Sequence, residues 1–212
     1  MTEVKRRYDA TRRRQRARDN RRAVVAAARE LFERDGFRPT TLAAVADHAG
    51  VSVKGLYKYF GSKAELAKAV FDHVIAGDDE PVPVAERPEQ IAVRAEPDVR
   101  RKIELFVRGL ARRQDRSARV QRLIRDGRHV DDSLVAVWDQ LSNEALVGAT
   151  IIGRQLLDTG QLRDGIDLDE VRDVLWNYMA IDTYDRLVVA RGWALERYSA
   201  WVGRAVIAAI CD

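Results

Sequence analysis

The chain has 212 residues, of which 46% are hydrophobic and 33% charged, with a formal net charge of +4. This supplies apolar material for one or two packed domains, whereas no apolar run is long enough to cross a bilayer and no apolar segment follows the charged N-terminus as in a secretory signal. The one cysteine, Cys211, excludes an internal disulfide and fits a reducing cytoplasm, where the protein is expected.

Charge is unevenly spread. Residues 1–77 carry 17 Lys and Arg against 9 Asp and Glu, and the remainder carries 20 against 24. A basic front on an acidic body suggests that the front meets a polyanion. The alternative is a basic tail that only keeps the chain soluble.

Residues 1–18 lack apolar periodicity and are crowded with arginine, so a disordered basic arm is expected. From Asp19, a candidate N-cap, Val24, Ala27, Ala28, Leu31 and Phe32 fall at helical spacing, and Gly36 ends the run. Thr40 and Thr41 offer a second cap, ahead of Leu42, Val45 and Ala46 on one face. Gly50 allows a turn, Ser52 caps a short segment over 52–59, and Gly61 breaks it. Ser62 and Glu65 have capping-box spacing, opening a helix that runs to about Ile75.

Residues 77–97 hold four of the five prolines and read as a linker or loop. Helical periods then resume over about 98–115, 117–128, 132–158, 168–190 and 194–210. The fold expected is all-α: a basic arm over 1–18, a DNA-binding domain over 19–76, a linker over 77–97 and a larger helical domain over 98–212. The helix over 168–190 is apolar around most of its girth, and the last helix carries small residues (Ala205, Ala208, Ala209) beside Trp201. A homodimer interface is the economical reading; a central core helix of a monomer is the alternative.

Two short helices over 42–60 with Ala46 at their crossing, Gly50 in the turn and Leu56 anchored inward make a helix-turn-helix, whose second helix lies in the major groove. Its outward residues would be Val53, Lys54, Gly55, Tyr57 and Lys58. Lys54 is placed for a guanine edge and Val53 for a thymine methyl. Ser52, Tyr57, Tyr59, Lys63, Thr40 and Thr41 are candidates for the phosphate surface.

Four segments carry a resemblance. They are Ala-Ala-x-Glu-Leu-Phe-x-x-x-Gly-Phe over 27–37, Thr-Thr-Leu-x-x-Val-Ala over 40–46, Ala-Gly-Val-Ser over 49–52 and Leu-Tyr-x-Tyr-Phe-x-Ser-Lys-x-Glu-Leu over 56–66. Together they resemble the DNA-binding domain of the tetracycline-repressor-like (TetR) family. The segment Arg-Gly-Trp-x-x-Glu-Arg-Tyr over 191–198 resembles a joint before the last helix in that family. The resemblance implies an all-helical homodimer with a three-helix DNA reader and a back domain that holds a small-molecule effector. It implies dimerisation through the last two long helices, and a palindromic double-stranded operator, usually repressed and released by the effector. Such a protein works at the nucleoid.

Two features depart from the family pattern. Gly55 stands where many relatives have Thr or Ala, either for close approach to DNA or because a contact is missing. The arm is long, and Arg12, Arg13, Arg14, Arg16 and Arg18 either follow the minor groove or add affinity without sequence choice. In the latter case the protein is a general or architectural DNA binder.

The back domain offers Phe106, Trp138, Asn143, Asn177, Tyr178 and Asp182 as an effector pocket of apolar lining with a few polar groups; an ordinary core with satisfied polar side chains is the alternative. The arginines over 100–128 favour an anionic effector or simply form a solvated face. His48, His73 and His129 have no metal-ligand spacing, and neither a phosphate loop nor a nucleophile elbow is present. No enzyme activity, metal, cofactor or membrane partner is expected.

Overall fold

A computed structural model describes the backbone of residues 2–77 and 86–212, and their side chains except those of 2–11, 13 and 14. Among the described residues the protein is helical, without strands. The helices are α1 (Thr2–Asp35), α2 (Leu42–His48), α3 (Val53–Phe60), α4 (Lys63–Ala76), α5 (Pro88–Ala95), α6 (Val99–Gly127), α7 (Ser133–Leu157), α8 (Leu168–Met179), α9 (Ile181–Tyr184) and α10 (Leu195–Ile210). A π-helical turn, Asp185–Ala190, follows α9.

The chain forms two units, residues 1–73 with 119–137, and residues 74–118 with 138–212. The first is therefore not the contiguous 19–76 expected from the linker. It takes in the C-terminal part of α6, where Val120 and Ile124 are buried, and Leu134 at the start of α7. Its core also holds Val24, Ala28, Phe32, Val45, Leu56, Leu66 and Val70. The core of the second unit runs from Val93 and Ile103 through Leu156 and Leu175 to Val202 and Ile210.

Several expected boundaries moved. The arm expected to be disordered is helical from Thr2, continuous with the helix expected to begin at Asp19. Arginine, alanine and glutamine are strong helix formers, and Asp19, instead of capping, accepts a bond from Gln15 Nε2 one turn earlier at 2.9 Å. The two helices expected over 98–128 are one: Ser117 turns its hydroxyl back to the Arg113 carbonyl (2.8 Å) and stays helical. Within the expected linker, Pro88 opens α5 at a position where its missing N–H costs nothing, while 78–85 lie outside the described residues. The helix expected over 168–190 breaks at Ala180.

That break is stabilised from α6. The buried Gln114 amide nitrogen lies 3.2–3.4 Å from the carbonyl oxygens of Tyr178, Met179 and Ala180, and its own oxygen accepts from the Tyr198 hydroxyl at 3.0 Å. One side chain thus satisfies carbonyls that a helix break strands.

Candidate DNA-reading face

The turn between α2 and α3 is built as its residues predict. Thr41 caps α2 by accepting from the Ala44 amide at 3.1 Å. Gly50 takes φ +64°, a conformation costly for side-chain-bearing residues, and the Val51 amide closes on the Ala46 carbonyl at 2.9 Å. Ala46 is buried where α2 and α3 pack, and Leu56 anchors α3 inward. Ser52 caps α3, its hydroxyl oxygen accepting from the Gly55 amide at 3.1 Å.

Those anchors decide what faces outward. Val53, Lys54, Tyr57, Lys58 and Tyr59 are exposed along α3, with Tyr57 at 52%. A row of two cations, two phenols and one branched aliphatic on a capped two-turn helix presents hydrogen-bond donors and a small apolar contact together. The Thr41 and Ser52 hydroxyls are also exposed, at the N-termini of α2 and α3.

Two expected contacts are engaged within the chain. Thr40 is buried, and its hydroxyl donates to the Gly36 carbonyl at 2.8 Å and lies 3.3 Å from that of Leu31; it closes the end of α1. Lys63 is drawn inward: Nζ donates to the Phe37 carbonyl at 3.0 Å, approaches that of Arg38 at 3.4 Å and stands 4.2 Å from the Phe37 ring centre. Burial lowers its pKa, against the attraction of Asp131. Gly55 has a physical reason within the chain, since a Cβ there would lie 3.1 Å from the capping Ser52 oxygen. His48 pairs with Glu30 at 3.1 Å.

On the arm, Arg12, Arg16 and Arg18 are exposed, and the side chains of Arg13 and Arg14 lie outside the described residues. A helix about 10–12 Å across does not enter a minor groove about 6 Å wide.

The six residues expected to form an effector pocket are not brought together. Phe106 belongs to the packed core, Asn143 and Asp182 are exposed, and Trp138 is half-buried on α7. Asn177 and Tyr178 line a surface hollow with Glu170, Asp173, Val174 and Ala209. Tyr178 also stands edge-on to Trp201, whose ring meets that of Trp193. The buried polar centre is instead Gln114 with Tyr198, whose ring stands edge-on to Tyr184; the Tyr184 hydroxyl reaches Asp115 at 2.7 Å. Burial pushes the Tyr198 phenol up to about 12. The signal for Gln114 was its place on the apolar stripe of α6 with Ile103, Val107 and Leu110, in a run otherwise dominated by arginines.

Among the described residues no three His, Cys, Asp or Glu side chains are grouped to hold a metal, and no helix is long and apolar enough to cross a membrane.

Residues 24–70 match the model of bacterial regulatory proteins of the tetR family. The HTH-type transcriptional regulator TtgR of Pseudomonas putida is 24% identical over 166 residues, 77% of this chain and 78% of that protein. The fold is similar to that of FadR from Bacillus subtilis, solved in complex with stearoyl-CoA (TM-score 0.68, 16% identity, 87% of this chain and 96% of that one). It is also similar to NalD, the secondary repressor of the MexAB-OprM multidrug efflux pump in Pseudomonas aeruginosa (TM-score 0.63, 17% identity, 91% and 97%).

Proposed function

We propose that this chain, whose residues 24–70 match the tetR family of bacterial regulatory proteins, is a transcriptional regulator of that family with no enzyme activity, and that it acts as a repressor. In this reading it binds a palindromic double-stranded operator as a homodimer and leaves it when a small molecule occupies the second unit. The observation that carries the reading is the exposed row Val53, Lys54, Tyr57 and Lys58 on a helix fixed by the Ser52 cap and the buried Leu56.

Roles divide by position. Lys54 and Val53, in the first turn of α3, read base edges; Tyr57, Lys58, Tyr59, Thr41 and Ser52 hold phosphate and sugar. The arm arginines add salt-dependent affinity. Thr40 and Lys63 keep the reader in shape and touch no DNA.

Dimerisation through α8 and α10 is supported by their mutual packing and by apolar surface left at their edge. Trp176 is 42% exposed, and Val174, Trp201 and Ile207 are only partly buried. An isologous contact would cover this surface. Light scattering of the purified chain tests it: a dimer is expected, and Trp176→Asp should shift it to monomer. A reporter under an operator found by in vitro selection tests the sign of regulation, with expression rising when the protein is removed.

The rival is a general DNA binder working through the basic arm. It predicts equal affinity for selected and scrambled duplexes.

A further inference from the structure

In the second unit a cavity of about 330 Å3 is lined by Ile75, Gly77, Arg87, Glu89, Arg113 and Arg116, among others. Among the described residues, three arginines share it with one carboxylate. Arg116 is committed along one edge, donating from Nε to the Val74 carbonyl at 3.2 Å and from Nη2 to the Ile75 carbonyl at 3.1 Å, which ties down the last turn of α4. Glu89 is divided: Oε1 accepts from Arg112 Nη2 at 2.9 Å, and the same carboxylate provides the opposite charge felt by Arg113.

Arg113 is the unusual member. Its guanidinium makes no hydrogen bond among the described residues. Burial lowers its pKa to about 10, more than Glu89 restores, and Arg116 and Arg112 repel it further. Gly109, one turn earlier on α6, makes the room: a Cβ there would meet Arg113 Nη1 at 3.0 Å and Glu89 Oε2 at 3.4 Å. Among the described residues lining this hollow, the cationic fork of Arg113 is opposed by Glu89 alone, whose carboxylate is shared with Arg112.

We propose that this cavity binds a compact metabolite bearing a carboxylate or phosphate, with the oxyanion on Arg113 and Arg116. The proposal deepens the effector reading above and rests on it for its regulatory meaning. A guanidinium pairs two parallel N–H donors with such an anion, and a cavity at the small end of the ligand range suits a compact molecule. The anion would also compete with the Val74 and Ile75 carbonyls for Arg116, which couples its binding to the end of α4.

Calorimetric titration of the full chain, without DNA, tests the site with inorganic phosphate, succinate and uncharged succinamide as probes. Saturable binding of phosphate or succinate and none of succinamide is expected; the anion that binds more tightly identifies the ligand group. Arg113→Gln should weaken that binding about tenfold or more, a change of roughly 1.4 kcal/mol. Glu89→Gln, which removes the internal competitor, should tighten it, so the test does not depend on whether Arg113→Gln folds. Arg108→Gln, exposed on the same helix outside the cavity, should change nothing. Absence of saturable anion binding, equal binding of succinamide, or weaker binding by Glu89→Gln overturns the proposal. A gel shift with the same anion separates the two claims: binding without DNA release upholds the anion site and contradicts its effector role.

Discussion

The Lys63 ammonium lies 3.0 Å from the Phe37 carbonyl oxygen and 4.2 Å from the centre of the Phe37 ring. It joins the first turn of α4 to the segment that ends α1, so a residue expected to hold phosphate is a brace within the reader. Lys63→Ala should therefore destabilise the protein by about 1–2 kcal/mol, through a lost charged hydrogen bond and a cation–π contact. Denaturant unfolding measures this. DNA affinity per folded molecule should stay near wild type, which distinguishes a brace from a contact.

Tyr198 gives a pH dependence with a definite sign. Its phenol is raised from 10.0 to about 12, first by burial, which outweighs the hydrogen bond with Gln114. Above pH 10 the unfolded chain releases this proton and the folded chain does not. The stability it contributes is present below pH 10 and is lost as pH rises toward 12. Tyr198→Phe should flatten that part of the alkaline decline in melting temperature, while lowering the melting temperature at pH 7 by the loss of the Gln114 bond.

The turn has its own test. Gly50→Ala meets no neighbour within 4 Å, so its cost is the backbone conformation alone, about 1 kcal/mol. Melting curves should show this loss, while Lys54→Ala, on the exposed face, should leave stability unchanged.

The arm predicts a salt effect. Arg12 and Arg16 are one turn apart on the exposed flank of α1. Replacing both with glutamine should reduce the slope of log affinity against log salt by up to about 2. Preference between selected and scrambled duplexes should persist, because phosphates carry no sequence information.

What the sequence made legible was local. Caps and glycines have fixed offsets, so Thr41, Gly50, Ser52 and Gly61 were found where the structure uses them. The internal bonds of Lys63 and Thr40 were not legible because their partners, Phe37, Leu31 and Gly36, are set by packing between helices, which residue type and spacing do not reveal. The scattering of the expected effector set was hidden for a similar reason. Asn143 and Asp182 share the chemistry of pocket residues but face outward, and the cationic cavity needs Gly109 to be read together with Glu89 and Arg113. Disorder was expected for the arm because charge repulsion was weighed above helix propensity, and the structure resolves that competition the other way.

The central claim is that α3 reads sequence through Lys54. The most direct measurement is the affinity of wild type and Lys54→Ala for an in vitro selected duplex and for single-base variants and a scrambled copy of it, at two salt concentrations. Wild type should prefer the selected site by at least about 10³-fold at both concentrations, and Lys54→Ala should lose discrimination of about 1–3 kcal/mol at one base pair in each half-site. Equal binding of selected and scrambled duplexes that weakens together with salt, or a uniform loss over all duplexes in Lys54→Ala, would contradict the account.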